Sequence, residues 1–200
     1  MSKRVVIAIE GINGIGKTTA IRGCRPHLLD VPNRYWWFGH EHQDGVGLVL
    51  REQLQSGLDP SPKALALLFA AARIDSYERR CADQHPKTVL VYDRFLWSSL
   101  AYHSVRCDEL WVRGINQQSP QADFNILLDA DPNQINREDH TKFPGVFGRN
   151  QKFLQQVRQN FLELTEQNPG RSAVIDATQP SGIVATQLAD QIKTYLRKNR

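Results

Sequence analysis

Four short runs along the chain are apolar and β-rich: Val5 to Ile9, Thr88 to Tyr92, Phe124 to Leu128 and Ala173 to Ile175. The first, second and fourth do not alternate with polar residues, which is how strands buried on both faces of a parallel sheet read. A fifth candidate strand, Arg34 to Phe38, is rich in aromatics. Between these runs the period changes. Thr18 to Leu29 reads as a helix, and Pro62, directly after Ser61, opens another that continues to about Arg80. Phe153, Val157, Phe161 and Leu164 recur at helical spacing, as do Val184, Leu188, Ile192 and Tyr195, so both segments are amphipathic helices. Strands alternating with helices predict an α/β three-layer sandwich, a central five-stranded parallel sheet flanked by helices. Ligands of such sheets bind beyond the carboxyl ends of the strands, which directs attention to the loops after Ile9, Tyr92, Leu128 and Ile175.

Length and composition narrow the class. Two hundred residues without repeat, low-complexity tract or linker are expected to form a single domain. Forty per cent hydrophobic and 23% charged residues exclude wholesale disorder. The longest apolar run, Ala64 to Ala72, is about half the ~20 residues a spanning helix needs, so no membrane association is expected. Val5 to Ile9 is too short for a signal-peptide core. Cys24, Cys81 and Cys107 have neither metal-ligand nor disulfide spacing and suit a reducing, cytoplasmic setting. The net charge of +4 is spread along the chain. Its one basic cluster, Lys193 to Arg200, reads as a solvated helix end, so a nucleic-acid partner is not favoured.

Gly11-Ile12-Asn13-Gly14-Ile15-Gly16-Lys17-Thr18 satisfies G-x-x-x-x-G-K-[ST], directly after a buried strand and opening a helix. That context makes the fold of the P-loop NTPase type. Gly11, Asn13, Gly14, Ile15 and Gly16 are expected to wrap the ATP phosphates, with Thr19 in the helix's first turn beside them. Lys17 is the candidate catalytic bridge between β- and γ-phosphates, and the Thr18 hydroxyl a ligand of Mg²⁺. Asp93-Arg94 follows the second clear strand. Parallel strands align their carboxyl ends, so Asp93 is expected near Thr18 as the other metal-side group and Arg94 near a transferring phosphate.

Asp93-Arg94-Phe95-Leu96-Trp97-Ser98-Ser99-Leu100-Ala101-Tyr102 resembles the D-R-[YF]-x-x-S-x-x-A-Y stretch of thymidylate kinases. Leu67 to Arg73 resembles that family's L-L-F-A-A-x-R helix, Ala122 to Pro132 its P-D-x-x-x-x-L-D-x-x-P strand, and Asp176 to Pro180 its adenine-side loop. The resemblance implies ATP-dependent phosphorylation of dTMP, or a close pyrimidine nucleoside monophosphate, to the diphosphate by a homodimeric enzyme. It implies that Phe69 stacks on the acceptor pyrimidine and Arg73 bonds its base. By the same resemblance Asp93 and Arg94 face the acceptor phosphate, while Ser98, Ser99 and Tyr102 line the nucleoside pocket. Thr178 and Gln179 fall on the adenine side. A lid is expected at about 136–150, with Arg149 as a catalytic arginine and Arg137 as an adenine-side contact, because the phosphate loop has no arginine of its own.

Three features depart from the family. Asn13 stands where an Asp is common, His103 follows the Ala-Tyr pair, and Trp36 to Gly45 replaces the R-E-P-G-type loop. His40-Glu41-His42 lacks the H-E-x-x-H spacing of a zinc helix and is read as substrate-loop or surface histidines. Trp36 and Trp37 are read as core and rim aromatics. The departures keep other readings open: a kinase of a nucleoside or modified pyrimidine nucleotide, a nucleotide sensor without turnover, or a P-loop protein that grips nucleic acid.

Overall fold

A computed structural model describes residues 4–56, 60–135 and 150–199. Its parallel strands are β1 (Val5–Glu10), β2 (Tyr35–Gly39), β3 (Thr88–Asp93), β4 (Phe124–Asp129) and β5 (Ser172–Asp176), in the spatial order β2-β3-β1-β4-β5. All five expected strands are present among the described residues. β1 is buried at every position, as its unbroken apolar run requires, whereas the edge strand β2 is partly exposed.

Helices cover both faces. The odd positions Val5, Ile7 and Ile9 share one core with Ile21 of α1 (Lys17–Cys24) and Leu188 of α7 (Ser181–Lys198). The even positions Val6 and Ala8 pack with Leu90, Tyr92 and Phe95. The period-2 alternation of a strand thus serves two layers at once. Between these lie α2 (Val46–Gln55), α3 (Pro62–Asp83), α4 (Leu96–His103), α5 (Glu109–Ile115) and α6 (Gln151–Gln167).

Local chemistry sets several boundaries. Ser61 accepts from Ala64 N at 3.3 Å and Pro62 begins α3, while Asp108 caps α5 through Trp111 N at 2.8 Å. The helix expected from Thr18 to Leu29 is shorter: α1 stops at Cys24, and Arg25–Leu28 is a 3₁₀ turn. Pro26 has no N–H to give, and its ring would clash with the carbonyl four residues back. Trp36 stacks on Phe38 and Trp37 tilts against Tyr92, as core and rim aromatics do. No helix among the described residues is long and apolar enough to cross a membrane.

Sheet order positions the site. β1 lies between β3 and β4, so the chain leaves β1 and β3 side by side. Their ends are flush, with Ile9 opposite Asp93, and this topological switch is where a ligand crevice opens.

Candidate active site

The phosphate loop runs from β1 into α1. Gly11 has φ of 139°, and a Cβ there would stand 2.5 Å from the Leu128 carbonyl oxygen, so only glycine fits between β1 and β4. Lys17 is buried and donates to the carbonyls of Gly11 at 3.0 Å and Ile12 at 2.7 Å. Burial, with Arg94 adding to it, lowers its pKa well below the usual lysine range. Thr18 and Thr19 are exposed in the first turn of α1. The Thr18 hydroxyl donates to Asp93 Oδ2 at 2.8 Å, so the two candidate metal-side groups, 75 residues apart, meet. A hydroxyl beside a carboxylate is a hard oxygen donor set of the kind Mg²⁺ takes, with phosphates and water completing the shell.

Arg94 lies at the same switch point. Its φ of 73° is unusual for a residue with a side chain and is held by its N–H on Ile9 O at 3.0 Å. The guanidinium donates to Gly11 O at 2.8 Å, Ser98 Oγ at 3.1 Å and Asn13 Oδ1 at 2.5 Å. It also lies 5.2 Å from the Tyr102 ring centroid, and the Tyr102 hydroxyl accepts from Asn13 N at 2.8 Å. The phosphate loop and α4 are therefore tied together through one arginine.

Beneath Arg94 is a residue that sequence reading passed over. Glu10 is fully buried and accepts from Phe95 N at 3.0 Å, Ser98 N at 3.3 Å and Ser98 Oγ at 2.5 Å. Burial raises its pKa, although the Ser98 hydrogen bond and the Arg94 charge pull the other way. A carboxylate ending an otherwise apolar strand was the available signal, because a charge in such a place needs partners.

Next to Arg94 opens a cleft walled by Phe69, Ser98, Ser99 and Tyr102, with Glu41, His42 and His103 also lining it. The Phe69 ring touches His42 and His103, each at 5.3 Å between centroids. Burial drives both imidazoles down to about 3, helped by His40 beside His42 and by Arg73 beside His103, so both are neutral at physiological pH. Arg73 is fully buried one helical turn past Phe69. Its guanidinium donates to Phe95 O at 3.2 Å, to Ser99 Oγ at 2.9 Å from each Nη, and to Asn116 Oδ1 at 2.7 Å. Glu41 Oε2 faces it at 3.5 Å.

The loop carrying Glu41 is fixed from behind. A Cβ on Gly47 would collide with the Glu41 carbonyl, so α2 can approach only because that position is glycine. The rings of His40 and His42 meet each other, and that of His42 also meets Phe69. Among the described residues no group of His, Cys, Asp and Glu could hold a metal ion in the manner of a zinc site.

On the far side, the loop after β5 is ordered by Asp176, which accepts from Thr178 N at 2.9 Å and Thr178 Oγ1 at 2.6 Å. Gln179 Oε1 accepts from Gln187 at 3.2 Å. Of the expected lid, residues 136–149, including Arg137 and Arg149, lie outside the described residues. Asn150 is described and caps α6 through Lys152 N at 2.9 Å.

A phosphate loop on β1, an Asp-Arg pair on β3 and a side-chain cleft against them define a P-loop phosphotransferase, of the nucleoside monophosphate kinase class. The family model described as thymidylate kinase matches residues 9–188, and the chain belongs to that family. Among its relatives are probable thymidylate kinases of Methanosphaera stadtmanae, 31% identical over 96% of this chain and 98% of the relative, and of Methanocaldococcus jannaschii, 33% identical over 98% of each. A thymidylate kinase of Bifidobacterium longum subsp. infantis is 32% identical over 96% of this chain and 88% of its own.

Proposed function

We propose that this chain transfers the γ-phosphoryl group of ATP to the 5′-phosphate of dTMP, giving the diphosphate. The observation that carries this reading is Arg94, which spans from the phosphate loop to the aromatic-walled cleft and so stands where two phosphates brought together by those elements would meet. Phosphoryl transfer proceeds mainly by positioning and by neutralising charge on the equatorial oxygens, and a forked guanidinium does both.

The other roles follow the chemistry of each side chain. The loop amides and Lys17 hold the β- and γ-phosphates. Thr18 and Asp93 hold Mg²⁺, which when bound neutralises phosphate charge. Glu10 keeps Ser98 and the β3–α4 turn in place, which aims Arg94. Phe69 faces the pyrimidine, with Arg73 behind it bracing Ser99 and Asn116. Thr178 and Gln179 take the adenine side. The resemblance gives Arg149 the catalytic lid position and Arg137 an adenine-side contact. Exposed Leu48 and Val49 on α2 and Leu67 on α3 offer apolar surface for a homodimer. The three free cysteines suit the cytoplasm.

One observation favours a second acceptor class. His42 is neutral and Arg73 is occupied by protein partners, so the cleft offers an acceptor phosphate little cation beyond Arg94. Coupled ADP release across a panel of acceptors separates the readings. Steady turnover with dTMP and none with thymidine supports the nucleotide kinase. Turnover with thymidine alone makes it a nucleoside kinase, and ATP binding without turnover on any acceptor makes it a sensor.

A further inference from the structure

The polar groups of the acceptor cleft are nearly all committed to the protein itself. Asn13 Oδ1 is taken by Arg94, Ser98 Oγ by Arg94 and Glu10, and Ser99 Oγ by both Nη atoms of Arg73. Glu41 is not, although it is the cleft's buried carboxylate. It is 2% exposed, it lines the cleft, and its Oε2 has no hydrogen-bond partner among the described residues, only the Arg73 guanidinium at 3.5 Å. A buried carboxylate left this short of donors is costly unless something else donates to it.

Position identifies the donor. Glu41 is joined to His42, whose ring meets Phe69, and it faces Arg73, one turn beyond Phe69 on α3. It lines the same cleft as Arg94, whose charge acts on it together with that of Glu10. It therefore stands between the aromatic end of the cleft and the arginine end. A nucleotide lying with its base at Phe69 and its phosphate at Arg94 brings its sugar to this point. Deoxyribose has one hydrogen-bond donor, the 3′-hydroxyl. A fully ionised phosphate has no donor, and the N3–H of a thymine belongs to the base against Phe69, which leaves the 3′-hydroxyl for the ionised carboxylate.

We propose that Glu41 is a specificity-determining residue that accepts a hydrogen bond from the 3′-hydroxyl of the acceptor's sugar. The inference rests on the dTMP reading above and assigns that site its sugar contact. Asn13 is not available for this contact through its carbonyl oxygen, which Arg94 engages. Burial raises the Glu41 carboxyl to about 7 against the pull of Arg73, and a hydroxyl donating to it favours its ionised form.

The test compares kcat/KM for dTMP and for its 3′-deoxy analogue in wild type, Glu41→Gln and Glu41→Asp. The two acceptors share base and phosphate, so general damage to the pocket cancels in their ratio. Wild type is expected to prefer dTMP, and Glu41→Gln to lose about fivefold of that preference, the difference between a charged and a neutral acceptor. Glu41→Asp keeps the counter-charge for Arg73 but withdraws the carboxylate by one methylene, and is expected to lose preference too while remaining folded. Equal loss on both acceptors in both variants makes Glu41 a structural partner of Arg73 and overturns the proposal. So does a wild-type enzyme indifferent to the 3′-hydroxyl. A wild type that turns over neither acceptor overturns the dTMP reading instead.

Discussion

The donor half and the acceptor half of this site are built by different means. The phosphate loop is made of backbone: glycines at Gly11, Gly14 and Gly16 with positive φ, a strand end and a helix start within eight residues. The acceptor cleft is made of side chains brought from the loop after β2, from α2, from α3, from the β3–α4 turn and from α4, with Asn13 of the phosphate loop at its edge. Backbone amides recognise any phosphate and can be specified by a short motif. A side-chain cleft recognises one acceptor, and no short motif specifies it. The teaching of the contrast is that binding ATP is the robust property of this chain, and choosing the acceptor is the fragile one.

The largest effect is expected on the donor side. Lys17→Ala should lower kcat by about 10²–10³-fold, the usual cost of removing one preorganised group that stabilises transition-state charge. Thermal unfolding should barely change, because Lys17 donates to carbonyls that the turn places without it. A kcat within tenfold of wild type would break the comparison by making the loop a binding element only.

Arg94 belongs to both halves. Arg94→Lys keeps the charge but loses the fork that reaches Gly11, Asn13 and Ser98 together. Steady-state kinetics should show kcat falling and KM for dTMP rising, with kcat/KM down roughly tenfold to a hundredfold, each tenfold being ~1.4 kcal/mol. KM for ATP should move least. If only the ATP parameters change, Arg94 belongs to the donor half alone.

Gly47→Ala acts on the acceptor side from a distance. Its methyl group would enter the space of the Glu41 carbonyl, and overpacking of this kind costs about 1–3 kcal/mol. Chemical denaturation should register that loss, and KM for dTMP should rise with KM for ATP unchanged. An equal rise for both substrates would mean that the two halves are not separable.

The smallest effect is a pH dependence of selectivity. Glu41 faces Arg73 from α3, Arg94 from the β3–α4 turn and Glu10 from β1, and its carboxyl is raised to about 7. A hydroxyl donating to the ionised form lowers that pKa on binding, so binding strengthens as pH rises through 7 and the carboxyl ionises. His42, held near 3, stays neutral over this range. The ratio of kcat/KM for dTMP to that for the 3′-deoxy analogue should therefore climb about fivefold from pH 6 to pH 8. A flat ratio would leave the carboxylate without a sugar partner.

Much of this protein is local, and local features are legible. The apolar, β-rich runs located β1, β3, β4 and β5 to within one residue at each end, and the aromatic run Arg34 to Phe38 did the same for β2. The phosphate loop needed only its own eight residues, because its conformation is set by glycine φ angles and by the strand and helix at either end. Serine before proline was enough to start α3. The helices α2, α4 and α5 were less legible, being short and stabilised by what they pack against more than by their own pattern.

Only the tertiary structure decided how the polar groups are shared. Asp93 and Thr18 were expected to meet from strand alignment, but no pattern in the sequence says that Arg73 spends its guanidinium on Ser99 and Asn116. Nor does it say that Glu10 is sealed beneath Ser98, or that Glu41 is left short of a partner. Each of these depends on which side chain reaches a given donor first once segments distant in the chain have packed. The sequence by itself determined the phosphate loop, since a backbone loop carries its geometry within it. The acceptor cleft was settled by competition for hydrogen bonds among residues up to 89 positions apart in the chain, such as Asn13 and Tyr102, and that competition exists only in the folded protein.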